Sequence, residues 1–138
     1  MELTVSGLVS EAKKREILRL ARQICKKLGI KGLRINIVLG ILRDCGEINL
    51  LNKGKYGKAG SDWHFQVWLD KTLSPAMTCE TLGHECQHIR QFLDGRLEIR
   101  NGNLYFLGEC MSGIPYSRQP FEWEAKKVGR EMREIFKI

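Results

Sequence analysis

Little in this chain supports a cross-linked scaffold or a membrane anchor. Its five cysteines, Cys25, Cys45, Cys79, Cys86 and Cys110, are odd in number and widely spaced, and no Cys-x-x-Cys occurs. That pattern argues against a disulfide framework and against a cysteine zinc ribbon. Free thiols, buried or half-buried, are expected instead. No apolar run approaches the roughly 20 residues that span a bilayer. The first residues, Met-Glu-Leu-Thr-Val-Ser, lack a basic segment followed by an apolar one. No signal peptide is therefore expected, and the default location is the cytoplasm. Internal repeats and low-complexity segments are missing too. The Gly- and Lys-rich stretch 52–60 lacks both a Walker spacing and a strand-to-helix setting, so it reads as a loop between strands rather than a phosphate cradle.

What is present is the material of an ordinary globular domain. The 138 residues suit one domain over 1–138, and 43% hydrophobic with 28% charged residues can bury a real core. The net charge of +7 gives a basic surface, which suits nucleic acid or an acidic partner. The cations are scattered, however, over 13–15, 26–27, 53–58 and 126–133, with no aromatic residues interleaved for stacking. A solvated surface accounts for that spread, and nucleic acid stays open as an alternative partner.

Hydrophobic spacing divides the chain into elements. Ile17, Leu20, Ala21, Ile24 and Leu28 trace one face of a helix over 9–28, with Ser10 as its cap and Gly29 as its left-handed stop. Leu33, Ile35, Ile37 and Leu39 alternate with Arg34, Asn36 and Val38 as in a half-buried strand. A second strand covers about 47–51. The clearest strand is 63–70, with Phe65, Val67 and Leu69 on one side and His64, Gln66 and Trp68 on the other. Ser74 and Pro75 then open a helix that reaches Leu93 and stops at Asp94-Gly95. Its stripe is Thr78, Leu82, Glu85, Ile89 and Phe92. Alternating runs on either side of Asn101-Gly102 predict a hairpin with a type I′ turn. Residues 108–119 read as an irregular crossing. Pro120 opens a last helix with the apolar stripe Ala125, Val128, Gly129, Met132, Ile135 and Phe136.

Inside the helix from Pro75 lies His84-Glu85-Cys86-Gln87-His88, an H-E-x-x-H pattern. Positions i and i+4 of a helix share a face one turn apart, so both imidazoles can reach one metal ion. Glu85 between them can reach a water at that ion and act as general base, the arrangement of zinc hydrolases. Cys86 faces neither histidine and reads as packing. Two histidines make a weak zinc site, and catalytic zinc usually has three protein ligands. His64 lies upstream on a strand and reads as a surface or structural histidine. Downstream, Glu122 and Glu124 stand in the first turn of the last helix. Glu122 shares its side with the small residues Ala125 and Gly129, which let that helix approach the histidine helix closely; Glu124 points about 160° away, at about 100° per residue. Glu122 is the preferred third ligand and Glu124 the alternative. Both also suit a helix N-terminus as plain favourable charges.

His84-Glu85-x-x-His88 followed by Glu122-x-x-Ala125 resembles the gluzincin metallopeptidases. The run from Gln87 to Leu97, followed by the Tyr-x-x-Gln-Pro-Phe-Glu-Trp-Glu-Ala segment at 116–125, is similar to small zincin-like metallopeptidases of bacteria and their viruses. The likeness covers roughly residues 63 to 130. It implies an α+β fold, a zincin-like minimal domain in which a small mixed sheet packs on an N-terminal helix, a central H-E-x-x-H helix and a C-terminal helix. It further implies Zn2+ held by His84, His88 and Glu122, with Glu85 as the base that takes a proton from water and passes it to the leaving amine. The substrate is then a peptide or protein, laid along an edge strand just before the metal helix, Phe65 to Leu69 here. Tyr116 can help at the oxyanion, or simply pack. Many gluzincins carry Asp or Asn four residues after the ligand Glu as a partner of the site, whereas this chain has Lys126. Two other readings stand beside a peptidase. One is a zincin-like domain without activity that serves as a binding module. The other is a protease of DNA-bound proteins, similar to SprT-like domains, although no cysteine zinc ribbon follows.

Overall fold

The computed structural model describes residues 1–41, 46–53 and 63–136, the middle span for its backbone alone. Cys45 and residues 54–60 of the loop expected over 52–60 lie outside the described residues; Asn52 and Lys53 instead belong to a strand. The architecture is α+β, with three helices and two small sheets. Strands β1 (Glu2–Gly7), β2 (Arg34–Gly40), β3 (Gly46–Lys53) and β4 (Trp63–Asp70) form the larger sheet, and helix α1 (Glu11–Leu28) lies between β1 and β2 in the chain. Helix α2 (Pro75–Leu93) follows β4. The smaller sheet has β5 (Leu97–Arg100), β6 (Asn103–Phe106) and β7 (Glu109–Cys110), and after a short 3-10 turn at Tyr116–Arg118 helix α3 (Pro120–Phe136) ends the described chain. No helix among the described residues is long and apolar enough to cross a membrane.

The larger sheet is mixed, in the order β1-β2-β4-β3. β1 and β4 run parallel to β2, and β3 runs antiparallel to β4. Ile35, Ile37 and Leu39 of β2 and Phe65, Val67 and Leu69 of β4 are all essentially buried, in register with one another. Fully burying one such side chain stabilises by about 1.5–3 kcal/mol. A slip of one residue would expose all six and turn Arg34 and Asn36 inward, so the register is strongly specified. The opposite face is half-buried and polar: Thr4 donates to Asn36 at 2.8 Å, Asn36 pairs with His64 at 2.8 Å, and Trp68 donates to Gln66 at 2.8 Å.

Two expectations need correction here. β4 is an interior strand of the sheet, and the edge beside it is β3. The strand most strongly patterned for burial is central because both its neighbours cover it. β1, at the other edge, was not expected as a strand at all. Its alternation of Leu3 and Val5 with Glu2, Thr4 and Ser6 is short, and these two apolar residues are only half-buried. Pairing with β2 makes it a strand.

The helices follow their local signals. Ser10 Oγ accepts from Lys13 N at 3.1 Å, and Gly29 closes α1 at φ 71°. Ser74 Oγ accepts from Met77 N at 3.2 Å, with Pro75 in the first turn of α2. The Asn101-Gly102 turn has φ 51° and 79°, the two left-handed residues a type I′ hairpin requires. β7 falls inside the segment expected to be irregular. It follows a second two-residue turn, Leu107-Gly108, whose φ values of 52° and 83° no Leu-Gly pair announces. On α3, Ala125, Gly129 and Met132 are buried as expected, but Ile135 is 48% exposed, while its neighbour Phe136, one turn after Met132, packs against the core. Cys25, Cys79 and Cys86 are buried free thiols; Cys110, on the outer strand of the small sheet, is exposed.

α2 and α3 meet at glycines. A Cβ on Gly129 would stand 2.5 Å from the Glu80 backbone oxygen of α2, and one on Gly83 would stand 2.9 Å from Met132 Cγ. Alanine is the better helix former by up to about 1 kcal/mol, so an uncrowded Gly129 would gain from it. Here overpacking costs about 1–3 kcal/mol and prevails, since the obstacle is backbone. Gly129→Ala is expected to lower unfolding stability by about 1–2 kcal/mol in urea denaturation, and Lys127→Ala on the exposed face by less than about 0.5 kcal/mol. An unchanged or raised midpoint for Gly129→Ala would exclude the close approach.

Candidate metal centre

α2 is buried nearly all round, and its buried residues include polar ones: Thr78, Glu85, Gln87, His88 and Gln91. Buried polar groups need partners, and α3 supplies them. Its first turn carries Phe121, Glu122 and Glu124 onto α2, and the approach of Gly129 to the Glu80 backbone holds the two helices close.

Three ligand atoms converge at this junction. His84 Nε2 and His88 Nε2 are 3.2 Å apart, and Glu122 Oε1 lies 3.2 Å from His84 Nε2 and in direct contact with His88 Nε2. Among the described residues these three form a group able to hold a metal ion. His64, on the far face of the sheet, Cys86 and Glu124 are not part of it. Cys86 packs against Cys25, whose hydrogen bond, together with burial, pushes the Cys86 thiol well up.

The donor set fits a metal. Glu122 Oε1 is buried and receives no well-directed hydrogen bond, although both imidazoles lie against it. Metal-ligand distances of 2.0–2.1 Å in tetrahedral geometry place ligands roughly 3.4 Å apart, close to the spacings seen. Burial alone pushes the Glu122 carboxyl up; the imidazoles of His84 and His88 outweigh it and hold the group well below the usual carboxylate range. Burial lowers His88, while Glu122, Gln91 and the charge of Glu85 raise it by more.

The tautomer of His88 follows from Gln91, which is fully buried. Gln91 Nε2 donates to the Phe121 carbonyl at 2.9 Å and to Glu124 Oε1 at 3.1 Å. Two acceptors on that side orient the amide with Oε1 toward His88 Nδ1, at 2.8 Å. Nδ1 therefore carries the proton and donates it, which leaves the Nε2 lone pair for the metal. Glu124 anchors the network. It accepts from Gln87 Nε2 at 2.5 Å and from Arg96 Nη1 at 2.7 Å. Burial pushes the Glu124 carboxyl up, but Arg96, Gln87 and Gln91 bring it down to about 2. Thus the wheel separation of the two glutamates is realised in space: Glu122 reaches the histidines and Glu124 reaches the glutamines behind them. Nothing in the spacing of Gln87 and Gln91 distinguished them from surface amides. The available signal was polar residues on a helix with no wet face.

Glu85 lines a cleft of about 340 Å3 whose walls also carry Glu80, Thr81, His84, Tyr116, Lys126 and Arg130. Glu85 is buried, next to His84. The Tyr116 ring is half exposed, yet its hydroxyl end faces Glu122. Burial of that end, then the charge of Glu122 and its hydrogen bond, and the charge of Glu85, push its pKa up to about 12. Tyr116 is accordingly a neutral O–H donor at ordinary pH. Lys126 Nζ sits 4.6 Å above the Tyr116 ring.

Two substitutions separate the glutamates. Glu122→Gln is expected to abolish stoichiometric metal binding and Glu124→Gln to retain it, in zinc titrations against a competing chelator. The reverse order would make Glu124 the ligand. Gln91→Leu, with His88 no longer oriented, is expected to weaken metal binding roughly 10- to 100-fold; equal affinity would sink the role given to Gln91. Comparison of the chain with protein-family models, curated proteins and solved structures finds no match.

Proposed function

We propose that this chain is a zinc-dependent metallopeptidase with a zincin-like fold of the gluzincin kind. The observation that carries the reading is the convergence of His84, His88 and Glu122 next to a buried Glu85 at the wall of an open cleft. Two imidazoles and one carboxylate are the ligand set of catalytic zinc with a position left for water. A zinc ion held there supplies Lewis-acid chemistry, acidifying a water and polarising the scissile carbonyl.

The chain's own residues do the rest. Glu85 takes a proton from the attacking water and delivers it to the leaving amine. The Tyr116 hydroxyl, already turned to Glu122, donates a hydrogen bond to the oxyanion as charge develops. Gln91 and Glu124 keep the His88 ring from turning. The substrate backbone has a place too. β3 is the outer strand, packs along α2, and has no strand on its other side among the described residues. An extended peptide adds to such an edge through main-chain hydrogen bonds, so β3 takes the part first expected of Phe65 to Leu69.

Glu85→Gln is expected to keep about one zinc per chain by elemental analysis and to lower peptide hydrolysis by about 10²- to 10⁴-fold on a library of quenched fluorescent peptides. Stoichiometric zinc with no cleavage by the wild-type chain across that library would replace the peptidase with a zincin-like binding module.

A further inference from the structure

The cleft has a charge pattern that the hydrolytic machinery does not use. Glu122, Lys126 and Arg130 are spaced four residues apart on α3, so one face of the helix presents all three in a row. The first is a metal ligand. The other two line the same cleft as His84 and Glu85. Lys126 is fixed there by its position over the Tyr116 ring.

The carboxylates that could neutralise these cations are engaged elsewhere. Glu80, on the opposite wall, pairs with Arg133 at 3.7 Å. Glu122 is held by the two histidines, and Glu124 by Arg96 on the far side of α3. Among the described residues neither Lys126 nor Arg130 makes an ion pair with a carboxylate. Two unpaired cations therefore stand one and two turns beyond the metal ligand, in a cleft of about 340 Å3. That volume admits a side chain or a chain end and little more.

We propose that Lys126 and Arg130 make the cleft selective for peptides that carry a carboxylate close to the scissile bond, which rests on the peptidase reading of the site. The carboxylate is either an Asp or Glu side chain or the free C-terminus, since both offer the same anionic group. A guanidinium and an ammonium on one helix face hold it by charge-assisted hydrogen bonds. The scissile carbonyl is then set beside His84 and Glu85 by a contact remote from the chemistry. A nucleic-acid backbone fits less well: two glutamates, Glu80 and Glu85, share the walls with the two cations, and a phosphate chain would pass close to both.

Binding to the zinc-loaded Glu85→Gln chain tests this without turnover. Fluorescence anisotropy with labelled peptides compares an internal Asp against Asn, both amidated, and a neutral peptide with a free against an amidated C-terminus. One carboxylate form is expected to bind roughly tenfold or more tightly than its neutral counterpart, and which pair shows the preference tells the side chain from the chain end. Lys126→Ala with Arg130→Ala is expected to erase the preference while zinc content and binding of the neutral peptides stay the same. Lys126→Glu with Arg130→Glu is expected to turn it toward a Lys-containing peptide. No carboxylate preference, no peptide binding at all, or a preference that survives the double alanine change overturns the proposal. So does a labelled single-stranded DNA that binds through Lys126 and Arg130 while the peptide pairs are not distinguished. A carboxylate preference in a wild-type chain that cleaves nothing would leave this inference standing and remove the peptidase.

Discussion

The contact on which the candidate site depends is the approach of α3 to α2 at Gly129 and Gly83. Gly129 lies against the Glu80 carbonyl, one turn before His84. Only hydrogen fits there. With larger residues the axes would separate, and the first turn of α3 would move away from the histidines. Glu122 Oε1 reaches both Nε2 atoms because two glycines and Ala125, itself fully buried, let the backbones close. Helix packing sets the spacing of the candidate ligands, and a loop would hold them less firmly.

Tight packing alone would be unfavourable, because it buries charge. Glu85, Glu122, His88, Gln87 and Gln91 are all buried in this one junction. A buried group left unpaired destabilises by about 1–3 kcal/mol, and more when charged. The network avoids this by connecting nearly all of them. Gln91 is paired at both ends of its amide, Glu124 accepts three donors, and Arg96 brings the cation that Glu124 needs. What remains is Glu122 Oε1 between two imidazoles, an excess of lone pairs that a divalent cation would satisfy. The same three atoms that look unfavourable as protein alone are a suitable ligand set.

Much of this was legible in the sequence, for local reasons. The 63–70 strand and the helix from Pro75 to Leu93 stand as read, because alternation, cap, first-turn proline and Asp-Gly stop agree with one another. Glu122 was distinguishable from Glu124 through its alignment with Ala125 and Gly129. Properties that depend on partners were not legible. β4 and β3 each show strand character, but which is the edge is decided by pairing across the chain. Leu3 and Val5 form a strand only because β2 is there to pair with. Gln87 and Gln91 read as polar helix residues until α3 covers them. Ile135 reads as part of the apolar stripe, yet it is exposed while Phe136 beside it packs against the core.

Lys126 stands where the resemblance to gluzincins leads one to expect an acidic or amide residue, and the structure gives it other surroundings. An acidic or amide residue at that position would orient a ligand from α3. Here α2 orients its own candidate ligand, since Gln91 stands three residues after His88 and meets its Nδ1 directly. Glu124 and Arg96 then stabilise Gln91 from the side of α3 away from the cleft. With that task done from within α2, the residue four positions after Glu122 is released from the buried network. It faces the cleft as an exposed cation over Tyr116, with Arg130 one turn on. Lys126 is therefore available to contact whatever enters the cleft beside His84 and Glu85.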